Sequence, residues 1–199
     1  MAGYDLKQGK KPFIPMTEES LIELIEKALS KSHHTTSYKY AFFQAILDTL
    51  DKVENCFLTY DTIFFRCTEI YWDLVLIKHL KQMPASDICK IAAVERKLQN
   101  FVKDHKADCM HKNTILPFSR INPSLQTEIK NKVFAEMKKN VIGAFWKDTK
   151  GQIYSFDIEE SGITFNSYIF LLLKKHKEDF LMKNNCAFDA YLQKQNTRP

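Results

Sequence analysis

With 199 residues, 45% hydrophobic side chains, and fifteen Phe and eight Tyr against only five Gly, the chain can bury an ordinary core, as one domain or as two small lobes built from long packed elements. The formal charge of +5 is unevenly spread: residues 1–53 hold seven basic and seven acidic side chains, residues 54–110 eight of each, and residues 111–199 fourteen and nine. Five cysteines without a Cys-x-x-Cys pair, an N-terminus with Lys7, Lys10 and Lys11 but no apolar stretch, and aliphatic runs no longer than Leu74–Ile77 or Ile169–Leu173 lead to the expectation of no disulfide scaffold, no signal peptide and no membrane span. The expectation is a soluble cytoplasmic protein with reduced thiols and no membrane partner.

Residues 1–16 read as a mobile arm. Thr17 then opens a helix with Glu18 and Glu19 in its first turn and Leu21, Ile22, Ile25, Ala28 and Leu29 on one stripe. A second helix is expected from Ser37 to about Val53, apolar on most sides. A third, from Asp61 to about Leu80, is nearly encircled by Ile63, Phe64, Phe65, Ile70, Tyr71, Trp72, Leu74, Val75 and Ile77, so it should be central. Its only polar stripe is Arg66, Glu69 and Asp73, which share a face and read as an ion-pair network before they read as acid–base groups. Pro84 breaks it, and a fourth helix from Asp87 to about Asp104 places Ile88, Ile91, Val94, Leu98 and Phe101 on one side.

Residues 105–121, with Pro117, form a connection that divides a helical core (17–110) from a basic second half (111–199). After Pro123 comes a helix with Leu125, Ile129, Val133 and Met137 at steps of four and Lys130, Lys132, Lys138 and Lys139 on its other sides. Val141–Trp146 and Gln152–Ile158 are β-prone and predict a hairpin across Lys147–Gly151, with Gly151 left-handed. Helices close the chain at about Asn166–Lys183 and Cys186–Gln195. The fold class is therefore mainly α with one small antiparallel β-hairpin, winged-helix-like in its second half.

Two constellations suit an anionic partner. Thr35, Thr36 and Ser37 crowd hydroxyls onto a helix start, whose unpaired N–H groups hold anions, and Lys39 stands in the first turn, where its charge opposes the dipole unless a phosphate is present. Farther on, Lys130, Lys132, Lys138, Lys139, Lys147 and Lys150, with Trp146 and Tyr154, mix cations and aromatics on a helix and wing, as in winged helix-turn-helix DNA binding. Glu128, Glu136 and Asp148 interrupt that charge and argue against strong nonspecific affinity. His105, Cys109 and His111 offer only one ligand group where zinc sites pair two, and His33-His34 reads as polar loop, so no metal or other cofactor is expected. No thiol is flagged as an activated nucleophile, and no glycine-rich phosphate loop or serine elbow is present.

Three segments in order carry a resemblance: Thr35-Thr36-Ser37-Tyr38-Lys39-Tyr40-Ala41-Phe42-Phe43, then Glu69-Ile70-Tyr71-Trp72-Asp73, then Asn140-Val141-Ile142-Gly143-Ala144-Phe145-Trp146 continuing through Gly151 to Phe156-Asp157. Together they resemble the N-terminal, non-catalytic region of bacterial HNH endonuclease proteins, over most of the chain. In that family an HNH module with paired cysteines and an Asp-His-x-x-Pro-like element follows this region; the sequence up to Pro199 holds no such element, so no catalytic residue is carried over. The resemblance implies a DNA-binding or specificity module of a restriction or phage-defence nuclease, inactive without an HNH module, with DNA preferred over RNA as partner. The competing expectation is a protein-interaction subunit whose hydrophobic C-terminal helices dock a nuclease subunit or a second copy. An autonomous hydrolase ranks third.

Overall fold

The computed structural model describes residues 6–10, 14–30, 36–83 and 91–196. Helix α1 (Glu18–Ser30) starts as its sequence directs: Thr17 Oγ1 accepts the Ser20 amide at 3.2 Å, and Leu21, Leu24, Ile25, Ala28 and Leu29 are buried. Helix α2 (Tyr38–Asp48) is buried nearly all round and stops short of Val53. Thr49 donates its hydroxyl to the Ala45 carbonyl at 2.6 Å, and one 3₁₀ turn, Leu50–Lys52, follows. Strand β2 (Phe57–Thr59) leads into α3 (Tyr60–Tyr71), capped by Thr59 Oγ1 accepting the Thr62 amide at 3.1 Å.

The third helix does not run on regularly to Leu80. At Trp72–Ile77 it widens into a π-helical turn, and Lys78 and Leu80 donate their N–H groups to the Asp73 and Leu74 carbonyls, each at 2.8 Å. The wider turn leaves Trp72, Val75 and Leu76 all buried, and the Trp72 indole donates to the Leu116 carbonyl at 2.9 Å. Helix α4 (Ala93–Asp104) buries Val94, Leu98, Phe101 and Val102. Ile91, expected on its apolar face, precedes it and is exposed, and the expected start at Asp87 and Ile88 lies outside the described residues.

The connection at 105–121 has structure of its own. A short α5 (Lys106–Cys109) precedes a small hairpin, β3 (Met110–His111) and β4 (Thr114–Ile115). Lys112 and Asn113 make its turn at φ of 46° and 66°, the mirror-image geometry that suits the strand twist.

Helix α6 (Pro123–Asp148, 26 residues) corrects the hairpin expected at 141–158. Asn122 caps it, accepting the Ser124 amide at 2.9 Å, and Pro123 stands in its first turn, where it sacrifices no hydrogen bond. The apolar step of four through Ile129, Val133 and Met137 simply continues through Val141 and Phe145, all buried, so packing overrides the β preference of Val141–Trp146. The helix closes in a Schellman arrangement. Gly151 N–H reaches the Trp146 carbonyl at 2.7 Å and Lys150 N–H the Lys147 carbonyl at 2.9 Å, with φ of 70° at Gly151 and 55° at Lys150. Gly151 is left-handed as expected, but as a helix terminus.

The true hairpin is β5 (Tyr154–Asp157) and β6 (Gly162–Phe165), and it is no projecting wing. It forms the centre of an antiparallel sheet of order β1-β5-β6-β2, in which β1 (Gln8–Gly9) pairs with Asp157 and Phe156, and β2 pairs with Gly162–Thr164. Part of the expected arm is therefore an edge strand. Helices α7 (Ser167–Lys175) and α8 (Lys177–Asn196) divide at His176 rather than near residue 185.

The architecture is mainly helical with a small antiparallel sheet, around one hydrophobic core. Helices α2, α3, α6 and α8 meet there: the Phe42 ring lies 5.9 Å from Phe64 and 6.1 Å from Phe145, and Phe43 lies 5.1 Å from Phe145. Cys67 and Cys109 are buried free thiols as expected, whereas Cys186 is exposed and Cys56 half-buried; Cys89 lies outside the described residues. Among the described residues, no helix is long and apolar enough to cross a membrane.

Candidate nucleic-acid interface

The start of α2 is not an open anion site. Ser37 caps nothing through its side chain: its buried hydroxyl lies 3.0 Å from the Tyr71 hydroxyl and donates to Gln82 Oε1 at 2.8 Å. Gln82 is itself buried and tied down, its side-chain amide donating to the Leu80 carbonyl at 2.7 Å and its N–H to Glu95 Oε2 at 3.3 Å. Burial raises the Glu95 carboxyl above the usual glutamate range, against the Gln82 N–H that favours its charge. Thr36 is half-buried beside this knot, and Thr35, with His33 and His34, lies outside the described residues.

Lys39 finds its counterion inside the protein. Its ammonium pairs with the Asp148 carboxylate. A cation in the first turn of α2 and a carboxylate in the last turn of α6 each oppose their own helix dipole, and pairing them relieves both. No bound phosphate is needed to explain Lys39.

The lysines of α6 divide in two. In the N-terminal half, Lys130 is buried and pairs with Asp61 in the first turn of α3, while Lys132 pairs with Glu128 at 2.8 Å and lies 5.4 Å from the Phe101 ring centre. In the C-terminal half, Lys138 stacks over Phe134 at 5.1 Å, and Lys139 and Lys147 are exposed, as is Lys150 just beyond the helix. Among the described residues, Lys138, Lys139 and Lys150 pair with no carboxylate. Trp146 is half-buried and packs edge-on against Phe156, while Tyr154 is buried and donates its hydroxyl to the Ile142 carbonyl at 2.6 Å, so neither offers a ring face for a base.

Two lysines of the expected N-terminal arm join this surface. Lys7 and Lys10 are exposed and flank β1, which crosses the C-terminal half of α6: a Cβ on Gly143 would lie 2.7 Å from Leu6 Cβ, and one on Gly9 2.6 Å from the Trp146 ring. The sequence signal for this docking is faint: two glycines and Leu6 against a helical stretch, Val141–Trp146, whose residues favour a strand.

A second group of charges lies along α3 and its π-helical turn. Arg66 bridges Asp48 at 2.7 Å and Glu69 at 3.1 Å at the side of an open groove between α3 and α8, whereas Asp73 pairs instead with Lys78 at 2.7 Å. Burial works against the Arg66 charge, but the Asp48 and Glu69 carboxylates outweigh it and raise the guanidinium's affinity for its proton. Burial also pushes the Cys109 thiol up to about 11 and the Cys67 thiol higher still, the opposite of nucleophile activation. Among the described residues no group of three or more His, Cys, Asp or Glu is placed to hold a metal ion. No family model, curated protein or solved structure matches this chain.

Proposed function

We propose that this chain is the non-catalytic, DNA-positioning part of an HNH-type restriction or phage-defence nuclease, with cleavage performed by an HNH module supplied in the same polypeptide or by a partner. One observation carries the reading: the three segments that carry the resemblance meet as one core. Phe42 and Phe43 from the first lie against Phe145 from the third, and Ser37 and Tyr38 from the first meet Tyr71 from the second, at 3.0 Å between hydroxyls and 6.0 Å between rings. Ordered motifs that pack on one another behave as the shared scaffold of a fold, which is what a non-catalytic half supplies. Lys138 and Lys139, which pair with no carboxylate among the described residues, favour a polyanion as the object it positions.

The experiment is a titration of the chain with duplex DNA over a series of salt concentrations. Affinity should fall steeply with salt, and replacing Lys138 and Lys139 together by Gln should reduce the slope by about 2. Absence of duplex binding at low salt overturns the nucleic-acid reading. A second reading, a docking subunit, is favoured by α7, which leaves Tyr168 43% and Leu171 63% exposed on one side. Light scattering separates the two: a stable dimer indifferent to DNA favours docking, and a monomer that retards duplex DNA favours positioning.

A further inference from the structure

We infer that the N-terminal segment Leu6–Lys10 is a working part of the DNA interface: laid along the C-terminal half of α6, it joins Lys7 and Lys10 to Lys139, Lys147 and Lys150 in one phosphate-binding strip. The inference rests on the nucleic-acid reading above and extends its surface from Lys138 and Lys139 to the N-terminal segment. At 3.6 residues per turn, Lys139, Gly143, Trp146 and Lys147 fall within an arc of about 100° on α6, so Gly143 and Trp146 form a seat with Lys139 one turn before it and Lys147 at its C-terminal end. Leu6 lies over Gly143, and Gly9 over Trp146 and Phe156, where an added Cβ would come within 2.5 to 2.8 Å of each neighbour. The segment therefore runs toward the C-terminus of α6, carrying Lys10 toward Lys147 and Lys150. Pairing of Gln8 and Gly9 with Asp157 and Phe156, and the Ile158 N–H donated to the Lys7 carbonyl at 2.8 Å, hold it in that course.

Carboxylates bound the strip on one side. Asp157, Glu159 and Glu160 cluster at the β5–β6 turn near Lys7, with Asp157 Oδ1 accepting the Glu159 amide at 2.9 Å. A phosphate backbone is thereby directed along α6 and away from the sheet edge. Compensation of the helix dipole explains a lysine in the last turn, such as Lys147, but not Lys139, which stands nine positions before Asp148, nor Lys7 and Lys10, which belong to no helix. Lys7, Lys10, Lys139 and Lys150 form no ion pair among the described residues, so their charge remains available to a ligand.

The test measures duplex binding by the full chain against salt concentration, with the double variant K7Q/K10Q and, as control, K97Q/K103Q, which removes two exposed lysines of α4. The strip predicts that K7Q/K10Q lowers the salt slope by about 2 while K97Q/K103Q leaves it unchanged. If the wild-type chain binds duplex but K7Q/K10Q retains the full slope, the strip is refuted and the DNA reading stands. Equal losses in the two variants mean diffuse attraction and also refute it. If the wild-type chain binds no duplex, the DNA reading itself fails.

Discussion

Individual side chains in this protein are explained chiefly by what they would lose without their partners. Lys130 and Asp61 illustrate the asymmetry: the lysine side chain is 10% exposed and the aspartate 72%. Asp61→Asn should therefore cost more stability than Lys130→Met. The first strands an ammonium in a mostly buried place, at about 3 kcal/mol for breaking such a pair, whereas the second leaves a carboxylate that water can solvate. Chemical denaturation of the two variants checks the order. Glu95 makes the opposite kind of prediction. Its raised folded-state affinity for a proton means that the native state binds protons more readily than the unfolded chain, so this residue's contribution to stability is present in acid and declines as pH rises through the range above the ordinary glutamate value. Glu95→Gln keeps an acceptor for the Gln82 N–H and removes that titration. The stability of the variant relative to wild type should grow from acid toward neutral pH, and a constant difference would contradict it.

Among the elements, α6 organises the molecule. Its N-terminal half meets α3 through Lys130 and Phe134 and α4 through Lys132, and its last turns meet α2 through Phe145 and Asp148, together with β1 through Gly143 and Trp146. It ends with Lys150 at a φ of 55°, in a position where glycine is the residue of least strain. Lys150→Gly should raise stability by about 1 kcal/mol. If Lys150 also meets phosphate, the same substitution should lower the salt slope of DNA binding by about 1. Thermal unfolding and the binding titration read the two effects separately. The π-helical turn at Trp72–Ile77 is a second organising device: it lets the end of α3 seat Trp72 under the Leu116 carbonyl, and it orients the segment that brings Gln82 to Ser37.

At the scale of the whole molecule, much of the positive charge is spent internally. Lys39, Lys130, Lys132, Lys175, Lys177 and Lys183 all meet carboxylates. Most of these pairs are solvent-exposed and contribute on the order of 0–1 kcal/mol each, and the hydrophobic core dominates stability. Raising salt should therefore shift the denaturation midpoint little, while the same range of salt weakens DNA binding steeply. A midpoint that followed salt as strongly as binding would mean that the surface pairs hold the fold together. Net charge and its excess after residue 110 were legible in the sequence; which cations would be left over was not, because pairing joins residues as distant as Lys39 and Asp148.

The sequence alone determined the mainly helical class, the start of α1 at Thr17, the burial of α2 and α3 and the left-handed Gly151, because each follows from apolar periodicity or the backbone preference of nearby residues. Only the tertiary structure decided that Val141–Trp146 stays helical, that the hairpin lies at Tyr154–Phe165 inside a sheet, and that Gln8–Gly9 docks beside it. It also turned Ser37 inward. Local preference differs by fractions of a kcal/mol between helix and strand for such residues, whereas burying one large apolar side chain is worth about 2 kcal/mol, so distant neighbours settle what nearby ones leave balanced.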